Sequence, residues 1–209
     1  MSNPTRPAEG RVRTGFSHVF VALFSRSADT VNYSQGVRLG RAKKIEVSAT
    51  VADGKYYADN GLAEGDDPVF LSGTAKVTVD RAWNEVRKLI LGLSSTREVS
   101  IGSGASAKTV NITQYANTQS VPEMGIGFVE EYQSAGNKFY IAKVLRRIKF
   151  KTPGDSAETR EESINWQSEE MEMNVFRDGT SIDNWKDESE ELSSLTDAID
   201  VVKAILNIA

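Results

Sequence analysis

The stretch Gly125-Ile126-Gly127-Phe128-Val129-Glu130-Glu131-Tyr132-Gln133, Ser134-Ala135-Gly136-Asn137, Lys138-Phe139-Tyr140-Ile141-Ala142-Lys143-Val144-Leu145-Arg146-Arg147-Ile148-Lys149-Phe150-Lys151 decides the fold. Two long runs rich in β-branched and aromatic residues flank four turn formers. That pattern predicts an antiparallel hairpin. On its second strand, period two puts Val144, Arg146, Ile148 and Phe150 on one face. Lys143, Leu145, Arg147, Lys149 and Lys151 fall on the other.

Period two continues upstream. Phe16 to Ser25 reads as a buried strand. In Ile45-Glu46-Val47-Ser48-Ala49-Thr50-Val51 the apolar residues share one face, expected to point inward. Thr74 to Val79 repeats this with Ala75, Val77 and Val79 inward. Glu98 to Ile112 predicts a hairpin around Gly102-Ser103-Gly104. Ile164 to Trp166 and Met171 to Val175 predict two further strands.

Two segments carry a helical period instead. After Asp80, read as an N-cap, come Ala82, Val86, Leu89, Ile90 and Leu93, with Trp83 in the apolar set and Gly92 as the stop. Near the end, Ser194 is read as a cap with Asp197 three residues on. Leu195, Ile199, Val202, Ile205 and Leu206 form the apolar stripe of that helix.

Strand, helix and strand do not alternate regularly, so a doubly wound α/β fold is disfavoured. The expectation is a mainly β chain: a β-sandwich or open barrel of antiparallel strands with one packed α-helix and a C-terminal helix. Residues 1–14, with Pro4 and Pro7 and no apolar period, read as an N-terminal arm. Residues 15–177 read as the β domain. Residues 178–209 read as an acidic linker, with Asp178, Asp183, Asp187, Glu188, Glu190 and Glu191 in a solvated loop, followed by the helix.

Composition excludes several chemistries. The 209 residues contain no cysteine and one histidine. Thiolate metal sites, cysteine nucleophiles and two-histidine metal motifs are therefore ruled out. His18 lies in an apolar run and reads as a strand residue, not a catalytic base. Gly102, Lys108 and Thr109 mimic a phosphate loop, but Ala107 stands before Lys108 and Val110-Asn111-Ile112-Thr113 is strand-like, so no helix N-terminus would face a phosphate. Glu130 and Glu131 are adjacent on a strand and point to opposite faces, which disfavours shared acid–base work. No catalytic, cofactor or metal residues are assigned, and the expectation is a protein that is not an enzyme. A net charge of −4 argues against a basic grip on nucleic acid. No apolar run of about 18 residues marks a membrane span.

Two groups of residues stand out as candidate contacts. Tyr56, Tyr57, Asp59, Asn60, Gly61, Leu62, Asp66 and Asp67 lie in a segment expected to be a long loop. Tyrosine anchors, glycine hinges and acids suit a loop that reaches a neighbouring subunit or ring. Arg147, Lys149 and Lys151 form a basic stripe, and the acids of the following segment, Glu161, Glu162, Glu170 and Glu172 among them, are expected to pair with it within the chain or across subunits.

Tyr57-Ala58-Asp59-Asn60-Gly61 resembles the Tyr-Ala-Asp-Asp/Asn-Gly segment of the major tail tube proteins of long-tailed bacteriophages. In that family a short helix ending in Gly follows one strand later, as Asp80 to Gly92 does here. Thr159-Arg160-Glu161-Glu162-Ser163-Ile164-Asn165-Trp166-Gln167, after a basic strand, is similar to the family's Thr-x-x-Glu-Ser-Ile-x-Phe-Gln stretch. The resemblance spans roughly residues 15–177 and rests on order and spacing. It implies a virion structural protein without cofactors. Six copies would form a ring with their sheets joined around a lumen, and stacked rings would make the tail tube. Its partners would be further copies of itself, a tape-measure protein, and tail-tip and terminator proteins. DNA would pass through the lumen without specific binding. The protein would reside in the virion tail, and in the bacterial cytoplasm before assembly. Two alternatives stay open. One is the tube of a related phage-tail-like machine. The other is a carbohydrate-binding or adhesion sandwich using Tyr56, Tyr57 and Trp83.

Overall fold

The hairpin leads the architecture. Strand β9 (Met124–Ser134) pairs with β10 (Asn137–Phe150). Ala135 and Gly136 between them both have positive φ, 48° and 83°. A two-residue turn of that kind matches the right-handed twist of its strands. The computed structural model describes residues 10–52, 68–116, 119–152, 154 and 168–209, apart from the side chain of Ala105, and the backbone alone of 55–58 and 61–65.

Around the hairpin the chain builds one large antiparallel sheet. Its remaining strands are β1 (Val12–Ser27), β2 (Thr30–Gly40), β3 (Ala42–Ala52), β6 (Val69–Val79), β11 (Glu169–Phe176) and the short β12 (Lys186–Glu188). The order is β2-β1-β9-β10-β11-β6-β3, with β12 also on β10. Arg41 alone separates β2 from β3, which are the two ends of that order. The sheet therefore rolls until its ends meet at that corner. The Asp80 carboxylate fastens the corner by accepting the Arg41 N–H at 2.9 Å.

Rolling gives the sheet an inside and an outside. Val19, Val21, Leu39, Ala75, Val77, Val79, Met124, Ile126, Phe128, Leu145, Ile148, Met171, Met173 and Val175 fill the inside. Helix α1 (Asn84–Leu91) closes it with Ile90 and Leu91. On the outside, α2 (Leu195–Ile205) lays Ala198 and Val202, with Leu206 beyond its end, over Phe20, Ala22, Val129, Ala142 and Val144. Gly125 and Gly127 permit this approach. A Cβ on Gly127 would stand 2.5 Å from Val202 Cγ1. The Ser194 hydroxyl accepts the Asp197 N–H at 3.3 Å, so the cap falls where the sequence places it.

Several expectations are corrected. A β-bulge between Leu145 and Ile148 interrupts the alternation of β10. Val144 faces α2, whereas Leu145, Ile148 and Phe150 all face inward; an inserted residue flips every side chain beyond it. Helix α1 begins after Trp83, not after Asp80, which is engaged at the corner. The Glu169 carboxylate accepts the Ala82 N–H just before the helix (3.1 Å) and pairs with Arg87 on it (2.6 Å). Trp83 is 78% exposed and is no part of the core. Residues 12–14, assigned to the arm, already belong to β1. The acidic run is only in part the solvated loop expected: Glu190 and Glu191 are exposed, while its earlier acids are drawn into the fold. Asp178 is fully buried, 2.8 Å from Arg146 Nε, and Asp187 holds the same guanidinium at 3.2 Å. The strand predicted over 164–166 lies outside the described residues.

Candidate functional site

Three features of the fold are left incomplete by the main sheet. The first is β3, which pairs with β6 on one side and ends the sheet order on the other. Its apolar residues face inward as expected, Ile45 opposite Val77 and Val47 opposite Ala75, but that face is only partly covered: Ile45 is half-buried, Ala49 is exposed, and Val47 and Val51 are 38% and 52% exposed. On the neighbouring strand Val69 and Leu71 are also exposed. An edge strand of eleven residues with one apolar face is a template for another strand.

The second feature extends from that edge. Strand β4 (Lys55–Ala58) pairs with β5 (Gly61–Gly65) as a separate two-stranded ribbon. The segment was expected to be a loop, and the register Tyr56↔Glu64, Tyr57↔Leu62 and Ala58↔Gly61 corrects this. The tyrosines supply β-propensity, and the two-residue spacing of Ala58 and Gly61 suits a hairpin. Of the candidate contact residues, Tyr56, Tyr57, Gly61 and Leu62 lie on this ribbon. Asp59, Asn60, Asp66 and Asp67 lie outside the described residues.

The third is a ribbon made by β7 (Thr96–Ile101) and β8 (Lys108–Thr113), again separate from the main sheet. Register pairs Arg97 with Ile112, Val99 with Val110, and Ile101 with Lys108. Paired residues share a face. One face is thus an apolar stripe ending in Arg97 and Lys108, and Ile101, Val110 and Ile112 are about two-fifths exposed. Lys108 opens a strand here, which disposes of the phosphate-loop mimic. Two-stranded ribbons are marginal in water on their own.

The candidate charge pairs are partly brought together. Lys151 Nζ lies 3.2 Å from Glu172, and Glu170 pairs with Lys76 at 3.4 Å. Lys149 is the register partner of Asn174. Arg147 turns away from the acidic strand to Glu123, which it holds through two hydrogen bonds of 2.6 and 2.9 Å. Its guanidinium also stacks near Phe24 and Phe176. Glu161 and Glu162 lie outside the described residues. Exposed pairs such as Lys151–Glu172 contribute about 0–1 kcal/mol each, enough to favour a register and little more.

A buried polar cluster escaped the sequence reading. Glu130 is 4% exposed on the inner face of β9. It accepts from Arg13 at 3.0 Å, Lys143 at 2.8 Å and the Tyr132 hydroxyl at 2.5 Å. Burial pushes its carboxyl up, but the hydrogen bonds of Lys143 and Tyr132 and the charges of Lys143 and Arg13 outweigh that and hold it below the ordinary carboxylate range. The signal was present: Met124, Ile126, Phe128 and Glu130 share one face, so a carboxylate sits at a core position. Beside it opens a cavity of about 470 Å³, lined by Phe128, Leu145, Trp185, Ile45 and Val47 with Lys186. The carboxylate's partners neutralise it, and Glu131 is held apart by Lys138 at 2.9 Å.

His18 sits where β1 shifts register against β9, with φ of 54° and its Nδ1 2.9 Å from the Ser17 hydroxyl. Partial burial, then the Arg38 charge, lowers its pKa. Among the described residues no group of three or more acids and histidines is placed to hold a metal ion. Among them also no helix is long and apolar enough to cross a membrane. No protein-family model matches this chain, and no curated protein matches it.

Proposed function

We propose that the chain is a structural subunit that polymerises into stacked six-fold rings, forming the tail tube of a bacteriophage or of a related phage-tail-like machine. The observation that supports this most is the rolled sheet whose β3 edge carries exposed Val47, Ala49 and Val51. Joining sheets edge to edge across subunits would cover that strand and remove the hazard it poses. The two projecting ribbons supply further contacts, one apolar and flanked by Arg97 and Lys108. In this reading the tape-measure and tail-tip proteins are partners, and DNA passes through the lumen without specific binding.

Negative-stain electron microscopy of the purified protein over a concentration series, with and without a tail-tip complex as initiator, tests the reading. Hollow tubes or stacked rings are expected. Deleting Gly61 to Asp67 should leave a folded monomer that makes no tubes. Compact particles under every condition, or normal tubes from the deletion variant, would overturn the respective claims.

Trp83 gives a second reading its one support. An indole exposed to 78% beside Asp80 and Glu85 suits a sugar-stacking platform of a carbohydrate-binding module. Glycan binding by the monomer that is lost in Trp83→Ala would favour that class.

A further inference from the structure

The two ends of the sheet are treated differently. Among the described residues no strand pairs with the far edge of β3, whereas β2 is covered in its middle by the end of the chain. Helix α2 finishes in a Schellman motif. The Ile208 N–H bonds to the Lys203 carbonyl (2.9 Å) and the Asn207 N–H to the Ala204 carbonyl (3.3 Å). Asn207 takes the left-handed position, with φ of 52°. This turn carries the last residues across to β2. There the Asn207 side-chain amide donates to the Tyr33 carbonyl at 3.1 Å.

Ile208 lands on Gly36 at the same place. A Cβ on Gly36 would stand 2.2 Å from Ile208 Cγ1, so only glycine leaves room for that side chain. Here β2 also bulges. Leu23 pairs with Ser34 but Val21 pairs with Val37, and Gln35 between them has φ of 52°. Leu206, fully buried, anchors the turn against Gly125 and Tyr33. A bulge and a covering segment are two of the devices by which proteins protect a sheet edge from strand addition.

We infer that Asn207 and Ile208 form an edge guard, which withholds β2 from other strands and leaves β3 as the edge open to addition. A second copy can pair its β3 with β2 only once the guard has swung off Tyr33 and Gly36. The guard rests on the geometry alone. That the strand it excludes is the β3 of a second copy rests on the tube reading.

Two variants test it. Asn207→Gly with Ile208→Ala keeps the left-handed turn, which glycine favours, while removing both contacts with β2. Gly36→Cys with Ile208→Cys locks the guard. The Cβ built on Gly36 lies 3.3 Å from Ile208 Cβ, a few tenths of an ångström short of a disulfide's usual spacing. No native cysteine interferes. Sedimentation velocity reads the concentration at which each form associates, and amide exchange over 33–37 and 195–206 reports the edge and the helix. The unguarded variant should associate at a concentration at least tenfold below the parent. The oxidised staple should need at least tenfold more than the parent, reversed by reductant. An unguarded variant with α2 intact that associates no more readily than the parent overturns the guard, as does an oxidised staple that associates like the parent. Microscopy separates the two readings. Association of the unguarded variant into flat ribbons instead of tubes keeps the guard and refutes the tube. Tubes that form equally well with the staple closed keep the tube and refute the guard.

Discussion

Lys143→Met should destabilise the protein strongly at pH 7 and much less at pH 4. Lys143 Nζ lies 2.8 Å from Glu130 Oε2, and the two side chains are 14% and 5% exposed. At an effective dielectric of about 20, a pair at that distance attracts by roughly 6 kcal/mol before desolvation. Removing one partner of a buried pair typically costs about 3–5 kcal/mol, because the other charge stays buried. Arg13 and Tyr132 still reach Glu130, so the lower end, about 3 kcal/mol, is expected. Methionine keeps the length of the stem, which limits any cavity. For a chain of this size that loss corresponds to a fall in Tm of roughly 6–12 °C.

The pH dependence fixes the cause. In the parent the Glu130 carboxyl is held below its ordinary range, so its contribution is complete above the unfolded value, about 4.3. That contribution is lost as pH falls through the lower folded value. In Lys143→Met, burial is opposed by less and the folded pKa rises above 4.3. The destabilisation is then relieved as pH falls through the raised value, because the neutral acid tolerates burial. Urea unfolding of parent and variant at pH 7 and pH 4 measures the difference, with other carboxylates cancelling between the two proteins. Adding Glu130→Gln to the variant should restore part of the loss at pH 7. A cost below about 1 kcal/mol at pH 7, or an equal cost at both pH values, would refute the assignment of a buried ion pair.

Two further substitutions probe the outer layer. Gly127→Ala places a methyl 2.5 Å from Val202 Cγ1 and 3.1 Å from Leu206 Cδ1 and should cost about 1–3 kcal/mol by lifting α2; hydrogen exchange would show the loss in α2 first. Ser194→Ala removes the hydroxyl that accepts the Asp197 N–H and should cost about 1 kcal/mol in urea unfolding, whereas Ser194→Gly should cost only a few tenths.

The hairpin of β9 and β10 was legible because its information is local. Period two and the turn Ala135-Gly136 suffice to write it. The cap at Ser194 and the stop at Gly92, with φ of 64°, were legible for the same reason. What escaped depends on partners far along the chain. Asp178 looks like any solvated acid until Arg146, on another strand, comes within 2.8 Å. The β10 bulge has no residue signature, because Leu145-Arg146-Arg147-Ile148 could continue the alternation as well as break it. Trp83 was counted as core because its spacing fits the helix stripe, yet the helix starts one residue after it.

The incomplete cover over the inward face of β3 is the most informative of these differences. Ile45, Val47, Ala49 and Val51 alternate as a strand with one buried face does, yet only Ile45 is even half-buried in the single chain. Alternation records which side of a strand is apolar and carries no record of what covers it. Within the chain Ile45 and Val47 line the cavity with Phe128 and Leu145, and what stays exposed, Val51 above all, poses the hazard of a sticky edge that polar β-formers such as threonine would avoid. The opposite edge shows that this protein can guard a strand: the bulge at Gln35 and the contacts of Asn207 and Ile208 do so within the same sheet. One edge guarded and the other open is an arrangement that limits growth while preserving the ability to join. Under the tube proposal, the missing half of the β3 environment is supplied by another subunit, and the apolar face reads as an internal surface of the assembly.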